Sequence, residues 1–457
     1  MRALAGLVVA LAVALAACGQ HATAPPERHR DAAPPRDAAA VVADLPERPL
    51  GLPDAAAFDW RHRGGQPAYR LARRAEARGA WDEVASACKD ALAADPGHLD
   101  AAWLDAIALA KLGRTDDVVA PLQAAVAGDF AKWAGPSLEH PALQVFLATP
   151  AGQAWRRRVL ADRPRFIAAI AHALVVSAGG ALYAVDADGR WLRLTHAGTV
   201  IGALAIPAGQ RIAYVARRGA HLELGVIDRD SGEIGHPIEL GPEPTLAVAY
   251  SAKPPTGIWV GAGAAGKLAW RQLGDDGKLH PLPPATPRPA GAWLEAFGHT
   301  AHLHRLPVAN VTADWDDKSL ASAIRIATTN RVIAVPSPGL IDGNTVVWSP
   351  DRAHLAFVAQ LDDRCTPDAP SAAAFVADAA TGHVDELARA RRGLAVEWIG
   401  DRKLAIAGDD GVSLEQLGGA PVALAGADGL VTPRHHPRCT PEPAEEPTTS
   451  DEDNETP

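Results

Sequence analysis

A multidomain α plus β chain is predicted, a short helical-hairpin array followed by an all-β region, and three observations predict it. Residues 79–84 recur at 113–118 inside a helical pattern. After Pro164 the apolar periodicity changes to short strands divided by Asp-Gly pairs. Ahead of both, the chain opens with an apolar run that closes on Cys18. At 457 residues and 48% hydrophobic content the chain is long enough for two or three cores.

The opening run, Ala3 to Ala17, follows Arg2 and is too short to cross a bilayer of roughly 30 Å as a stable helix. Residues 1–17 therefore read as an export signal. Small residues in Leu15-Ala16-Ala17 let the chain lie extended in a peptidase groove, and the Cys18 thiol can form a thioether to diacylglycerol. This stretch resembles the bacterial lipoprotein signal. The resemblance implies a lipid-anchored protein of the bacterial envelope that begins at Cys18. Gly19 is similar to the pattern for onward passage to an outer membrane, facing the periplasm or the cell surface. An ordinary secretory signal with a chance cysteine is the alternative. Residues 18–60, rich in Ala, Pro, Arg and Asp and without apolar periodicity, read as a disordered tether.

From Gln66 the spacing turns helical, and residues 66–162 read as one helical domain. Gly79-Ala-Trp81-Asp-Glu-Val84 is matched by Gly113-Arg-Thr-Asp-Asp-Val118, and the register continues with Cys88 on Leu122, Ala91 on Ala125 and Asp95 on Asp129. Glycine at 79 and 113 permits a tight turn between antiparallel helices, and small Ala91 and Ala125 let helices approach closely. Asp95-Pro96 stops the second helix of the first unit. Gly79, Trp81, Ala91 and Pro96, then Gly113 and Ala125, resemble the tetratricopeptide repeat. The second unit departs from it, with Thr115 at the aromatic position and Phe130 at the closing proline. Segments 137–148 and 152–161 are expected as further helices, and Cys88 as a core residue.

Residues 165–433 carry Asp-Gly pairs at 188–189, 276–277, 342–343, 410–411 and 428–429, each expected as a hairpin turn. Strand and turn units recur at roughly 45 residues, the length of a four-stranded propeller blade. Trp348-Ser349-Pro350-Asp351 looks like the TolB-like propellers, and more distantly like WD-repeat propellers. That resemblance implies about six blades, near 165–198, 199–243, 244–287, 288–343, 344–391 and 392–433, the fourth irregular. Seven blades or a β-sandwich are the alternatives.

The net charge of −10 is concentrated at the end: residues 440–457 hold seven carboxylates and no basic residue, leaving −3 elsewhere. This segment reads as a disordered acidic tail, and no basic surface argues for nucleic acid. Cys365 and Cys439 sit in matching Arg-Cys-Thr-Pro tetrapeptides. In an oxidising compartment they make a disulfide or remain two unpaired surface thiols.

No Gly-x-Ser-x-Gly, His-Glu-x-x-His or Walker loop occurs, so no catalytic residue is assigned and no cofactor is expected. His302 and His304, with His299 before them, are the weak metal candidates, since alternate strand residues share a face; Asp314, Asp316 or Asp317 would add a ligand. The competing reading is a solvated strand face. His435-His436 reads as exposed loop, Asp186-Ala-Asp188-Gly189 as a hairpin turn rather than half a calcium loop, and Trp315 as an inter-blade residue or an exposed anchor. Both resemblances imply interaction devices: a non-enzymatic envelope lipoprotein that scaffolds an envelope protein or peptide partner. The alternative is a propeller that binds or processes a small molecule, sugar or metal in its channel.

Overall fold

The computed structural model describes residues 44–58, 63–171 and 173–437 apart from 197, 207–210, 236, 242–244, 252–253, 265–266, 285, 287–292, 298–299, 305–310, 317–319, 327, 336–338, 362–368 and 436. It gives backbone alone over 293–297, 300–304 and 311–316 and at 241, 245, 246, 264 and 267. Its described residues belong to one compact unit, Val42–Pro457. Cys18, Cys365, Cys439 and the tail 440–457 lie outside the described residues.

Seven α-helices are described: α1 (Gln66–Ala77), α2 (Trp81–Ala94), α3 (Leu99–Lys111), α4 (Val119–Gly128), α5 (Phe130–Glu139), α6 (Gln144–Leu147) and α7 (Pro150–Ala171). Gly79 between α1 and α2 and Gly113 between α3 and α4 both sit in the left-handed region, at φ +72° and +71°. That conformation carries a Cβ penalty for other residues, which is why glycine closes both turns. Ala91, Ala125, Cys88 and Leu122 have no exposed surface. The helices pack through these small and apolar residues. Pro96 follows α2 on the surface, while Asp95 beside it is buried and held by Arg63 at 2.8 Å.

Two expected boundaries move. Residues 137–148 do not form one helix: α5 ends at Glu139, His140-Pro141 break the ladder, and α6 is a short turn. Pro164 does not end the helical region, since α7 runs on through it to Ala171. Trp155, Val159, Asp162, Phe166 and Ile170 form one buried stripe at helical spacing across the proline. Burial of that stripe outweighs the hydrogen bond that Pro164 removes. Residues 44–58, expected as part of a disordered tether, are packed as well. Leu50, Ala55 and Phe58 are buried, and Leu52 pairs as an isolated bridge with Trp191.

Five antiparallel sheets follow among the described residues. Sheet A holds Leu174–Ala178, Ala181–Val185 and Trp191–Arg193; sheet B holds Thr199–Ala205, Arg211–Arg218 and His221–Asp228 with two short strands on the last. Sheet C runs from Leu279–Pro281 inward through Lys267–Leu273, Gly257–Ala264 and Thr245–Ser251, then to Trp293–Phe297 and Thr300–His304. Sheet D is built on Leu340–Trp348, His354–Gln360, Ala372–Asp378 and Val384–Ala390, and sheet E on Leu394–Gly400, Lys403–Gly408 and Gly411–Gln416. Near the end of the chain, Gly429–Leu430 returns to pair with Leu174–Ala178, placing Leu430 opposite Val176.

Among the described residues, 288–343 make no sheet of their own. Trp293–Phe297 adds to the free edge of Thr245–Ser251, with Leu294 opposite Val248. Leu320–Ile326 adds to Leu340–Trp348, with Leu320 opposite Asp342. An open edge presents unpaired backbone groups, and the irregular segment is long enough to cover two of them.

The helical region and the first two sheets share one core. Ile107, Leu122, Val126, Phe146, Trp155 and Phe166 from the helices join Leu182, Leu192, Ile212 and Tyr214 from sheets A and B. The division between 162 and 165 is thus not a domain boundary with a free linker.

Candidate binding groove

Tyr69 and Trp103 occupy equivalent positions of the repeat, in step with Gly79 and Gly113, on α1 and α3; Trp133 follows on α5. All three are half-buried. The Trp103 and Trp133 rings stack with centroids 4.5 Å apart and planes 15° from parallel, and His140 meets Trp103 edge-on at 5.8 Å. Lys132 Nζ lies 4.3 Å from the Trp133 ring centroid and donates to Asp100 Oδ1 at 2.6 Å. Asp100 and Trp103, one helical turn apart, share a face of α3. The stacked tryptophans, with Tyr69 at the equivalent position on α1 and its ring 4.5 Å from that of His98, make an aromatic ladder with a charged pair at one end.

The charged pair also lines a cleft of about 350 Å³ where the helical array meets sheet A. Its apolar wall is Phe58 and Tyr183, whose ring centroids are 5.2 Å apart. Phe58 is brought there by the segment that crosses from the helices to the sheet. Gly51 N donates to Ala127 O at 2.7 Å, Leu52 and Trp191 exchange backbone bonds at 2.9 and 2.8 Å, and Arg190 Nε donates to Leu50 O at 2.8 Å. On the polar side stand Arg193 and His196. His196 Nε2 lies 2.9 Å from Asp129 Oδ1, a buried carboxylate. Arg193 Nε donates to Thr195 O at 2.8 Å, and its guanidinium carbon lies 6.0 Å from the Phe58 ring centroid. Its two Nη groups make no hydrogen bond or ion pair with the described residues.

Trp81 begins α2 and is half-buried, with Lys111 Nζ 5.8 Å from its ring centroid. Cys88 is packed among Val84, Leu104 and Ala108, and burial pushes its thiol up to about 12. It is a core residue and not a nucleophile. Neither Trp103 nor Trp133 stood out in the sequence. The signal was the repeat register that sets Trp103 on Tyr69.

A second polar locus lies where sheets D and E meet. His435 does not form exposed loop as expected: it is 1% exposed, in a short strand opposite Leu394, and its Nδ1 lies 2.9 Å from Asp342 Oδ2. His435 Nε2 is buried without a hydrogen-bond partner. Asp342-Gly343 likewise makes no hairpin turn, because it lies within the strand Leu340–Trp348 at a register shift. The bulge turns the Asp342 carboxylate inward, where Oδ1 accepts from Asn344 N at 3.0 Å.

Asp186 Oδ1 accepts from Asp188 N and Arg190 N at 3.0 and 2.8 Å, closing the turn. In Trp348-Ser349-Pro350-Asp351, Ser349 Oγ donates to Asp351 Oδ1 at 2.5 Å and holds that carboxyl below its usual range. The side chains of His302, His304 and Trp315 lie outside the described residues, as does His299. Backbone register sets His302 opposite Glu295 and His304 opposite Trp293. Among the described residues no group of three or more His, Cys, Asp or Glu is placed to hold a metal ion. A cleft of about 1080 Å³ lies between sheets B and C, floored by Leu224, Tyr250 and Leu273. Its rim groups pair with each other, Arg211 with Asp228 and His280 with Asp276.

In class, the described chain is α plus β, helices followed by antiparallel sheets. No protein-family model matches it, and no curated protein does. Among solved structures it is similar to TolB from Acinetobacter baumannii, at 12% identity over 63% of this chain and 73% of that one, with a TM-score of 0.31. It is also similar to Hsv2 of Kluyveromyces lactis, at 15% identity over 54% and 89%, with a TM-score of 0.27. TM-scores this low do not define a shared fold, and the architecture stands on the sheets described above.

Proposed function

We propose that this chain is a lipid-anchored envelope protein, not an enzyme, that holds a protein partner through a tetratricopeptide-like array and propeller-like sheets. The aromatic ladder of Tyr69, Trp103 and Trp133 carries this reading. Half-buried aromatic side chains on alternate helices, two of them stacked, offer large contact area at small entropic cost. The return of the strand Gly429–Leu430 to the first sheet supports a closed, propeller-like arrangement. Cys18 is the proposed lipidation site, with residues 1–17 as signal, and Cys365 and Cys439 the proposed disulfide.

Because the helices share a core with the sheets, deleting the helical region would unfold both, so the test uses point substitutions. Trp103→Ala with Trp133→Ala is expected to remove envelope proteins recovered by cross-linking of the full chain; recovery of the same proteins in the same amounts refutes the ladder as the contact surface. Cys18→Ser is expected to move the protein from the membrane fraction to the soluble one, and an unchanged distribution refutes the anchor.

A second reading rests on one observation, the buried His435 Nε2 without a partner. Oriented by Asp342, that imidazole is poised to bind a small ligand between sheets D and E. Native mass spectrometry showing a bound molecule that His435→Ala releases would favour it over the scaffold.

A further inference from the structure

We infer that the cleft between the helical array and sheet A receives the free C-terminal carboxylate of a partner peptide, and that Arg193 pairs with it. This rests on the scaffold reading and names the chemistry of the partner's end. Arg193 is a half-buried cation, and two carboxylates at this seam already hold other bases: Asp100 accepts from Lys132 at 2.6 Å and Asp129 holds His196 at 2.9 Å. Among the described residues its Nη groups have no acceptor, and they lie on the wall of a concave site. A planar guanidinium with two open donors matches a carboxylate bidentately, and partial burial strengthens that pairing over one in water.

The rest of the cleft selects what carries the carboxylate. Phe58 and Tyr183 make an apolar wall beside Arg193, with Ala55 and Ala178 adding to it. At about 350 Å³ the cleft is near the small end of ligand pockets, roughly 300 to 1,000 Å³. That admits a terminal apolar residue and not a folded domain. Asp100 and Lys132 belong both to the cleft and to the end of the aromatic ladder, so a peptide ending at Arg193 continues over Trp133 and Trp103. A phosphate or a side-chain carboxylate would satisfy Arg193 alone, but neither places an apolar side chain on Phe58 while the preceding chain leaves along the ladder.

The test measures binding of fluorescent, N-terminally labelled random hexapeptides ending in leucine to the full chain by anisotropy. One pool carries a free carboxylate and the other a C-terminal amide. The free acid is expected to bind roughly ten- to a hundredfold more tightly, the range of a hydrogen bond to a charged group. Arg193→Gln is expected to abolish that preference and Arg193→Lys to restore part of it, each with an unchanged thermal melt. Equal binding of acid and amide, or a preference that survives Arg193→Gln, overturns the inference. If the pools bind equally and Trp103→Ala weakens both, the carboxylate assignment fails and the groove reading stands. If neither pool binds while cross-linking still recovers partners dependent on Trp103, the C-terminal recognition fails alone.

Discussion

At the residue scale, three buried polar groups show how local environment decides behaviour that residue type leaves open. Asp105 on α3 is 5% exposed, its Oδ1 lacks a partner, and burial pushes its carboxyl up to about 6 from an ordinary 3.8. A folded pKa above the unfolded one contributes stability that is full below about 4 and lost as pH rises through about 6. Asp105→Asn removes the penalty of burying the charge, and should stabilise the protein at pH 7.5 by about 2 kcal/mol relative to its effect at pH 4. Urea melts at the two pH values check this; a pH-independent difference would refute it. His435 and Asp342 depend on each other, and His435→Ala leaves a buried carboxylate oxygen without its donor. A loss of about 2 to 4 kcal/mol in equilibrium unfolding is expected, against near neutrality if the pair were solvated. Cys88, by contrast, behaved as its register in the repeat suggested, since its counterpart in the second unit is the apolar Leu122.

At the scale of elements, the glycine turns of the helical hairpins were legible because their requirement is local. A left-handed residue between two helices needs no knowledge of the rest of the chain. The segment at 44–58 was not legible, because Leu50, Ala55 and Phe58 are scattered apolar residues in a Pro-rich stretch and only the surfaces they meet make them core. Gly51 marks that seam. It sits at φ +77°, and a Cβ there would lie 2.4 Å from Trp191 O. Gly51→Ala should therefore cost about 2 to 3 kcal/mol, with the loss read in a thermal or urea melt. An unchanged midpoint would show that the segment lifts away from sheet A. The extension of α7 through Pro164 follows the same logic: the sequence alone ends the helices ahead of Pro164, and the stripe from Trp155 to Ile170 gains its weight from the apolar surface it buries.

At the scale of the whole molecule, helices and sheets are joined by one continuous core running from Ile107 and Trp155 to Leu182 and Tyr214. Calorimetry of the chain is expected to show one cooperative transition for the helical region and the first sheets, and two well-separated transitions would contradict that shared core. The groove and the cleft beside it exist only at this scale, since Asp100, Lys132, Phe58 and Arg193 come from four separated parts of the sequence. What the amino-acid sequence determined by itself were the elements whose cause is local: hairpin turns at Gly79 and Gly113, the recurrence of 79–84 at 113–118, and the switch from helical to strand spacing. Only the tertiary structure decided which edges those strands covered, that 288–343 was shared between two sheets, and that Arg193 lines a cleft with Nη groups unpaired among the described residues. Pairing, burial and charge compensation are relations between distant residues, and periodicity along a chain carries no information about which distant residue arrives.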